Sequence, residues 1–113
     1  MSNPLRRFGR PACGGLAALA LSAALASEAA IAADAVHGEQ LARRWCASCH
    51  VVAADQTRGA DNVPAFASIA KIPGFSADKI AQFLMDPHPK MPDMQLSRQE
   101  AKDLGAYIAS QAE

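Results

Sequence analysis

The side chains best suited to chemistry in this sequence are grouped in one short motif, Cys46-Ala47-Ser48-Cys49-His50. Two thiols three residues apart lie on one face of a helical turn, where both can add across the vinyl groups of a haem. The imidazole of the next residue can then reach the iron. The C-x-x-C-H pattern therefore indicates a c-type haem attachment site. Such residues also support a thioredoxin-like redox pair, a zinc site or a structural disulfide.

The surroundings of the motif disfavour these three alternatives. A thioredoxin-like pair needs a preceding strand within a βαβ pattern, whereas the flanking residues are rich in Ala and Arg and predict helix. A zinc site needs four ligands, and only His37 and His88 could complete one. A disulfide between Cys46 and Cys49 closes too small a loop to stabilise the fold much, and it leaves His50 unexplained.

The first 32 residues predict a secretory signal peptide that is cleaved. Three arginines precede a small apolar stretch over 14–26, and an A-x-A cleavage pattern follows over 30–32. A membrane span needs about 20 apolar residues without charges. Because Glu28 interrupts the apolar stretch, we expect cleavage rather than an uncleaved anchor. The candidates for the last residue of the leader, in order of preference, are Ala32, Ala33 and Ala26.

The remaining domain, residues 33–113, is small. It has 81 residues, with eight Lys and Arg against ten Asp and Glu, which gives a net charge of −2. Its aromatic side chains are Trp45, Phe66, Phe75, Phe83 and Tyr107. A chain this short builds only a marginal core by itself, so the missing apolar mass must come from outside the chain. The domain also lacks the basic stripe that neutralises phosphates, so we expect no nucleic-acid partner.

From about Gly38 to Ser110 the chain resembles a small class I cytochrome c of the bacterial periplasm. This resemblance implies an all-α cytochrome c fold, with about four short helices wrapped around one covalently bound haem c. It implies that Cys46 and Cys49 carry the haem and that His50 is the proximal axial ligand. A methionine far downstream is the distal ligand in that family.

The resemblance implies a soluble one-electron carrier rather than an enzyme. With both axial positions filled by the protein, no substrate reaches the iron. We expect a monomer that shuttles electrons between redox proteins in the periplasm, without stable membrane insertion after signal cleavage. Two alternatives stay open: a haem subunit of a periplasmic dehydrogenase or oxidase complex, and a gas- or peroxide-reactive haem protein if the methionine ligand is labile.

Hydrophobic periodicity and capping residues predict four helices and no strand. The first covers 35–47 and the second 64–70. Ser76 is the expected cap of the third helix, and a capping box of Ser97 and Glu100 starts the last one. The side chains expected along the apolar faces of the last two helices are Ile80, Phe83, Leu84, Ala101, Leu104, Tyr107 and Ile108.

The first predicted helix should present one face to the haem. Leu41, Trp45 and Cys49 recur at spacings of four and are expected on this buried face. The resemblance implies that the first and last helices cross at Gly38, eight residues before the motif. The related cytochromes usually have an aromatic residue at the position of Ala42. Leu41 or Trp45 is expected to fill that gap.

The distal ligand should come from the segment 87–94, in which three prolines fix the backbone and reduce the entropy lost on ligation. The candidate ligands are Met91, Met94, Met85 and His88. The resemblance assigns Met91, which precedes Pro92 and lies sixteen residues before Tyr107. We expect Met94 to pack on the haem edge or the core, and Met85 in the core. His88 is the main alternative ligand, because imidazole binds iron more strongly than a thioether does.

The resemblance also gives a role to Pro64. A proline carbonyl in this region accepts the Nδ1 proton of the proximal histidine in such cytochromes, which fixes the tautomer so that Nε2 faces the iron. Pro64 is therefore expected to bind His50 through its carbonyl oxygen. His37, in contrast, is expected to be only a solvated residue at the start of the first helix.

Overall fold

The computed structural model of the chain describes Gly9 and residues 31–86 and 90–113. Most of the predicted leader, and His88, lie outside the described residues. The described ranges contain no strand and four helices: α1 (Ala35–Trp45), α2 (Phe66–Ala70), α3 (Ala77–Met85) and α4 (Arg98–Ser110). The predicted all-α fold is confirmed. No helix in these ranges is long and apolar enough to cross a membrane.

The predicted starts of α3 and α4 are confirmed. The Ser76 hydroxyl accepts a hydrogen bond from the Lys79 backbone N–H at 3.4 Å. At α4, the Glu100 N–H donates to the Ser97 hydroxyl at 3.2 Å, and the Ser97 N–H donates to the Glu100 carboxylate at 2.8 Å. This reciprocal pair satisfies two backbone donors that the first turn leaves free, and such a cap contributes about 1 kcal/mol.

The boundaries of α1 differ from the prediction at its end. Asp34 caps the start, since its carboxylate accepts from the Val36 and His37 backbone N–H groups at 2.9 and 3.1 Å. The helix ends two residues earlier than predicted. There the Ala47 N–H donates to the Ala42 carbonyl, five residues back, at 3.1 Å. This wider turn ends the α-helical pattern, so the C-x-x-C-H motif forms turns after α1 rather than its last residues.

The second helix starts two residues later than predicted. Ala65 has extended backbone angles and is the N-cap residue, so Pro64 precedes α2 instead of lying in its first turn. The carbonyl oxygen of Pro64 is consequently available for a contact outside the helix.

Helix α4 packs against each of the other three helices. Gly38 of α1 lies directly against it, because a Cβ at this position would clash with the backbone carbonyl of Asp103. The expected crossing of the first and last helices at Gly38 is thereby confirmed. One turn later, Ala42 is completely buried. The small Ala42 side chain continues this close approach of the two helices.

The predicted buried stripe of α1 is only partly correct. Leu41 is buried, but Trp45 is 41% exposed and Cys49 is exposed as well. The predicted spacing of four runs on to Cys49, but α1 ends at Trp45. Beyond Trp45 the backbone is no longer helical, so the three side chains do not share one helix face.

The core lies between α4 and the segment that follows the motif. Tyr107 donates a hydrogen bond from its hydroxyl to the Val52 carbonyl at 2.8 Å. The Phe66 ring packs edge-on against Tyr107 with centroids 6.3 Å apart. The predicted apolar face of α4 is confirmed, since all four of its expected side chains are buried. On α3, Leu84 is buried, whereas Phe83 is 41% exposed.

Asp103 is a buried carboxylate on α4 that joins the two terminal helices. It accepts hydrogen bonds from the Asp34 backbone N–H at 2.8 Å and from the Gln99 amide at 2.8 Å, and it pairs with His37 Nδ1 at 2.7 Å. The prediction that His37 is merely solvated is wrong. Its ring is partly exposed, but Nδ1 forms an ion pair with a carboxylate 66 residues away when the ring is protonated.

Candidate haem site

An apolar cavity of about 470 Å³ opens between the motif on one side and the segment 90–94 on the other. Core residues of α4, Leu104 and Ile108, form part of its wall. Its other apolar lining residues are Trp45, Val63, Pro64, Phe66, Ile69, Ile80, Phe83, Leu84, Met91, Pro92 and Met94. Trp45 and Phe83, which are partly exposed, thus belong to the cavity wall rather than to an ordinary outer surface.

The two cysteines of the motif both line this cavity as free thiols. The turn that carries them is closed by the His50 backbone N–H, which donates to the Cys46 carbonyl at 2.8 Å. Cys46 is buried and Cys49 is exposed. Burial, together with the neighbouring Cys49, raises the pKa of the Cys46 thiol to about 11.

His50 lines the same cavity, and a backbone carbonyl holds its ring at Nδ1. Its Nδ1 is 2.6 Å from the Pro64 carbonyl oxygen. Because a carbonyl only accepts, Nδ1 must carry a proton, and in the neutral ring Nε2 is then the nitrogen with the free lone pair. The Phe66 ring packs beside the imidazole, with centroids 5.4 Å apart. This is the geometry that the predicted role of Pro64 requires, although the role itself stays a prediction.

Two methionines face the motif across the cavity. Met91 and Met94 both line it and both pack against the core. Met85 is 45% exposed and does not line this cavity, so the prediction that it packs in the core is wrong. Met85 is the last residue of α3, and its side chain is exposed there. The rival ligand His88 lies outside the described residues.

A glutamine that the sequence did not single out lies behind the motif. The Gln56 side chain forms hydrogen bonds with four backbone groups of the segment 47–58. Nothing in the local pattern distinguishes Gln56 from other polar loop residues. Only the fold reveals these contacts.

The donor set of the cavity suits a covalently attached haem. Two thiols, an imidazole with one free nitrogen and a thioether line a single apolar space. A zinc site is not supported, since residues 31–86 and 90–113 contain no cluster of three or more His, Cys, Asp or Glu side chains that could hold a metal. The thioredoxin-like alternative lacks its strand in the same ranges.

Residues 33–108 match the family described as cytochrome c oxidase, cbb3-type, subunit III. The chain belongs to this family of c-type cytochromes. It is also 59% identical over 92 residues to cytochrome c-552 of Bradyrhizobium diazoefficiens, a match that covers 81% of this chain and 88% of that protein. No solved structure matches the chain.

Membership of this family favours haem attachment over the zinc, redox-pair and disulfide interpretations of the motif. The protein is a small electron carrier with covalently bound haem c, and it is an electron-transfer protein rather than an enzyme. The expectations of a c-type cytochrome, of its cofactor and of its carrier function are confirmed. A carrier of this kind exchanges electrons with redox partners.

Proposed function

We propose that this cytochrome carries one electron at a time in the periplasm, with its haem bound through Cys46 and Cys49 and its iron between His50 and Met91. One observation supports a haem site of this kind, and the position of Met91 before Pro92 in the sequence favours it over Met94, which lines the same cavity. The two thiols, the imidazole and the Met91 thioether line the same apolar cavity, and the Pro64 carbonyl fixes the imidazole in the tautomer that can bind iron.

Each of these residues has a separate task. Cys46 and Cys49 would hold the haem covalently, and His50 and Met91 would bind its iron. When bound, the haem supplies reversible one-electron chemistry between the ferric and ferrous states of its iron. The apolar walls keep water from the site and disfavour the extra positive charge of the ferric form, which raises the reduction potential.

The assignment of Met91 is tested by the ferric absorption spectrum of three variants. Met91→Ala should keep its covalent haem, lose the long-wavelength sulfur-to-iron band and show a lower reduction potential. Met85→Ala, on the exposed end of α3, is the matched control and should retain the band. Loss of the band in Met94→Ala, with retention in Met91→Ala, would transfer the assignment to Met94. Absence of the band in the wild-type protein would point to a ligand other than a methionine, such as His88.

We further propose that residues 1–32 are a cleaved signal peptide and that residues 33–113 are the working domain. The leader pattern supports this division. Asp34, the second residue of the proposed mature chain, is already anchored to α4 through Asp103. Mass spectrometry of the exported protein should give Ala33 as the first residue. A retained leader on the exported protein would contradict the proposed cleavage and favour an uncleaved anchor.

A second candidate is a haem subunit of a larger redox complex. The description of the matched family names a subunit of cytochrome c oxidase, and this favours the candidate. A monomeric carrier should elute alone at its own size after gentle lysis. A subunit should co-purify with a larger redox protein in a fixed ratio.

A further inference from the structure

The segment after the motif folds back over it and is tied to it by hydrogen bonds. The Ala60 N–H donates to the Cys49 carbonyl at 2.7 Å, and the Phe66 N–H donates to the Val51 carbonyl at 3.0 Å. Gly59 lies directly against the motif, because a Cβ there would be 2.7 Å from the Cys49 carbonyl oxygen. The backbone on both sides of His50 is therefore packed against residues 56–66.

Gln56 lies within this folded-back segment and bonds the motif through its side chain. Its amide nitrogen donates toward the Ala47, His50 and Arg58 carbonyls at 2.9, 2.8 and 2.7 Å. Its amide oxygen accepts from the Val52 N–H at 3.0 Å. Two N–H groups serve three carbonyls, so one of these hydrogen bonds is shared.

The chemistry of these four partners fixes the orientation of the amide. Three partners only accept and one only donates, so the nitrogen must face the carbonyls and the oxygen must face Val52. A carboxylate at position 56 would place an oxygen against three carbonyl oxygens. An apolar side chain of the same length would leave all four backbone groups without these partners. The site therefore discriminates glutamine from its isosteres.

We propose that Gln56 is a positioning residue that holds the backbone of His50, and hence the plane of its imidazole. This inference rests on the proposed role of His50 as an iron ligand. The ring is fixed by Pro64 at Nδ1, but one contact at the ring does not fix the backbone from which the ring projects. Backbone hydrogen bonds hold the neighbouring Cys49 and Val51 carbonyls. Gln56 adds the contacts at the His50 carbonyl itself and at Val52, two residues on. Partners of this kind behind a metal ligand set its orientation.

The first test uses the wild-type holoprotein and hydrogen exchange followed by NMR. The Gln56 side-chain amide protons should exchange about tenfold or more slowly than those of Gln111, whose amide contacts only the neighbouring Ser110 hydroxyl at 3.2 Å. The two glutamines differ in their surroundings but not in chemistry. Equal exchange rates for the two amides would overturn the proposal.

The second test compares Gln56→Met with the matched control Gln111→Met. The hyperfine-shifted haem-methyl resonances of the ferric protein depend on the angle of the axial imidazole plane. They should move in Gln56→Met and stay in place in Gln111→Met. Protection of the Val52 amide should fall about tenfold in Gln56→Met, as expected for the loss of one hydrogen bond. Unchanged methyl resonances in a folded Gln56→Met holoprotein would refute the positioning role.

Failure of this inference is separable from failure of the proposed ligand set. The wild-type ferric spectrum reports on His/Met ligation without any change at position 56. If Gln56→Met does not accumulate as holoprotein, the exchange rates of the Gln56 and Gln111 side-chain amides in the wild-type protein still test the proposal. If Gln56→Glu loses more haem incorporation than Gln56→Met, repulsion between the new carboxylate and the three carbonyls is confirmed as the reason for the amide.

Discussion

The two sides of the haem cavity are built by different means. On the motif side, hydrogen bonds with the Pro64 carbonyl, the Gln56 amide and the Ala60 N–H hold the turn and the histidine. On the methionine side, the Gln95 N–H donates to Asp93 at 2.9 Å, a contact local to that segment, and Pro92 restricts the backbone next to Met91. Among the described residues, hydrogen bonds between residues 6 to 14 apart in sequence hold the motif side, and the thioethers of the methionine side pack on the core.

Because of this difference, substitutions on the two sides should have different effects. Changes on the motif side should disturb haem attachment and the fold together, because the same backbone carries the cysteines and contacts the core. Changes on the methionine side should leave the haem attached and alter the potential and local stability. The predictions below are arranged from the largest expected effect to the smallest.

The largest effect is expected for Cys46→Ala/Cys49→Ala. This variant should be exported without haem and should barely fold, because the haem is the largest apolar body in the core. Circular dichroism of the purified variant should show little helix. A haem-free variant with wild-type helix content would remove the argument that the chain cannot form its core alone.

A substantial effect is expected for Gly59→Ala on the motif side. The added Cβ would lie 2.7 Å from the Cys49 carbonyl oxygen and 3.1 Å from the Val51 nitrogen. Both are backbone atoms that cannot rotate away, so the variant should lose about 1–3 kcal/mol of stability. Denaturant unfolding of the holoprotein measures this loss, and the yield of attached haem should fall with it. Unchanged stability would show that the motif side is more adaptable than its hydrogen bonds imply.

A smaller effect is expected for Pro92→Ala on the methionine side. Removing the ring constraint increases the freedom of the unfolded chain and should cost about 0.4–1 kcal/mol. Haem attachment should be unaffected. The same denaturant experiment measures this loss, and it should be the smaller of the two. If Pro92→Ala were more damaging than Gly59→Ala, the contrast between the two sides would be reversed.

The smallest effect concerns the contact of His37 with Asp103, remote from the haem. The hydrogen bond to Asp103 raises the pKa of His37 above its ordinary value of 6.5, against the opposing effect of burial. Burial would raise the pKa of Asp103, but hydrogen bonds from His37, the Asp34 N–H and Gln99 outweigh it and hold that pKa below 3.8.

The sign of the pH dependence follows from these two directions. The contribution of His37 is fully present below pH 6.5 and is lost as the pH rises through its raised pKa. The contribution of Asp103 is present above pH 3.8 and is lost as the pH falls through its lowered pKa. The stability difference between wild type and His37→Gln should therefore be greatest between these values. A difference that grows toward alkaline pH would contradict this assignment.

The sequence predicted what depends on local patterns. Ser76 and the pair Ser97 and Glu100 cap their helices because their partners are three residues away. The contacts of Asp103 with Asp34, 69 residues away, leave no local signal. The same holds for Gln56, whose partners are backbone groups that any sequence supplies.

In the candidate site, too, local sequence patterns predict some features and not others. The C-x-x-C-H spacing and the proline-flanked Met91 can be read directly from the chain. The end of α1 at Trp45 could not be predicted. That end is set by the wider turn between Ala42 and Ala47, which helix propensity does not reveal.

The most direct test is a pyridine haemochrome spectrum of the exported protein, combined with alkylation of its thiols. The spectrum should be that of a haem bonded through two thioethers, and no thiol at Cys46 or Cys49 should react. Colourless protein with both thiols open to alkylation, from a host that matures such cytochromes, would contradict the assignment of this cavity to haem c.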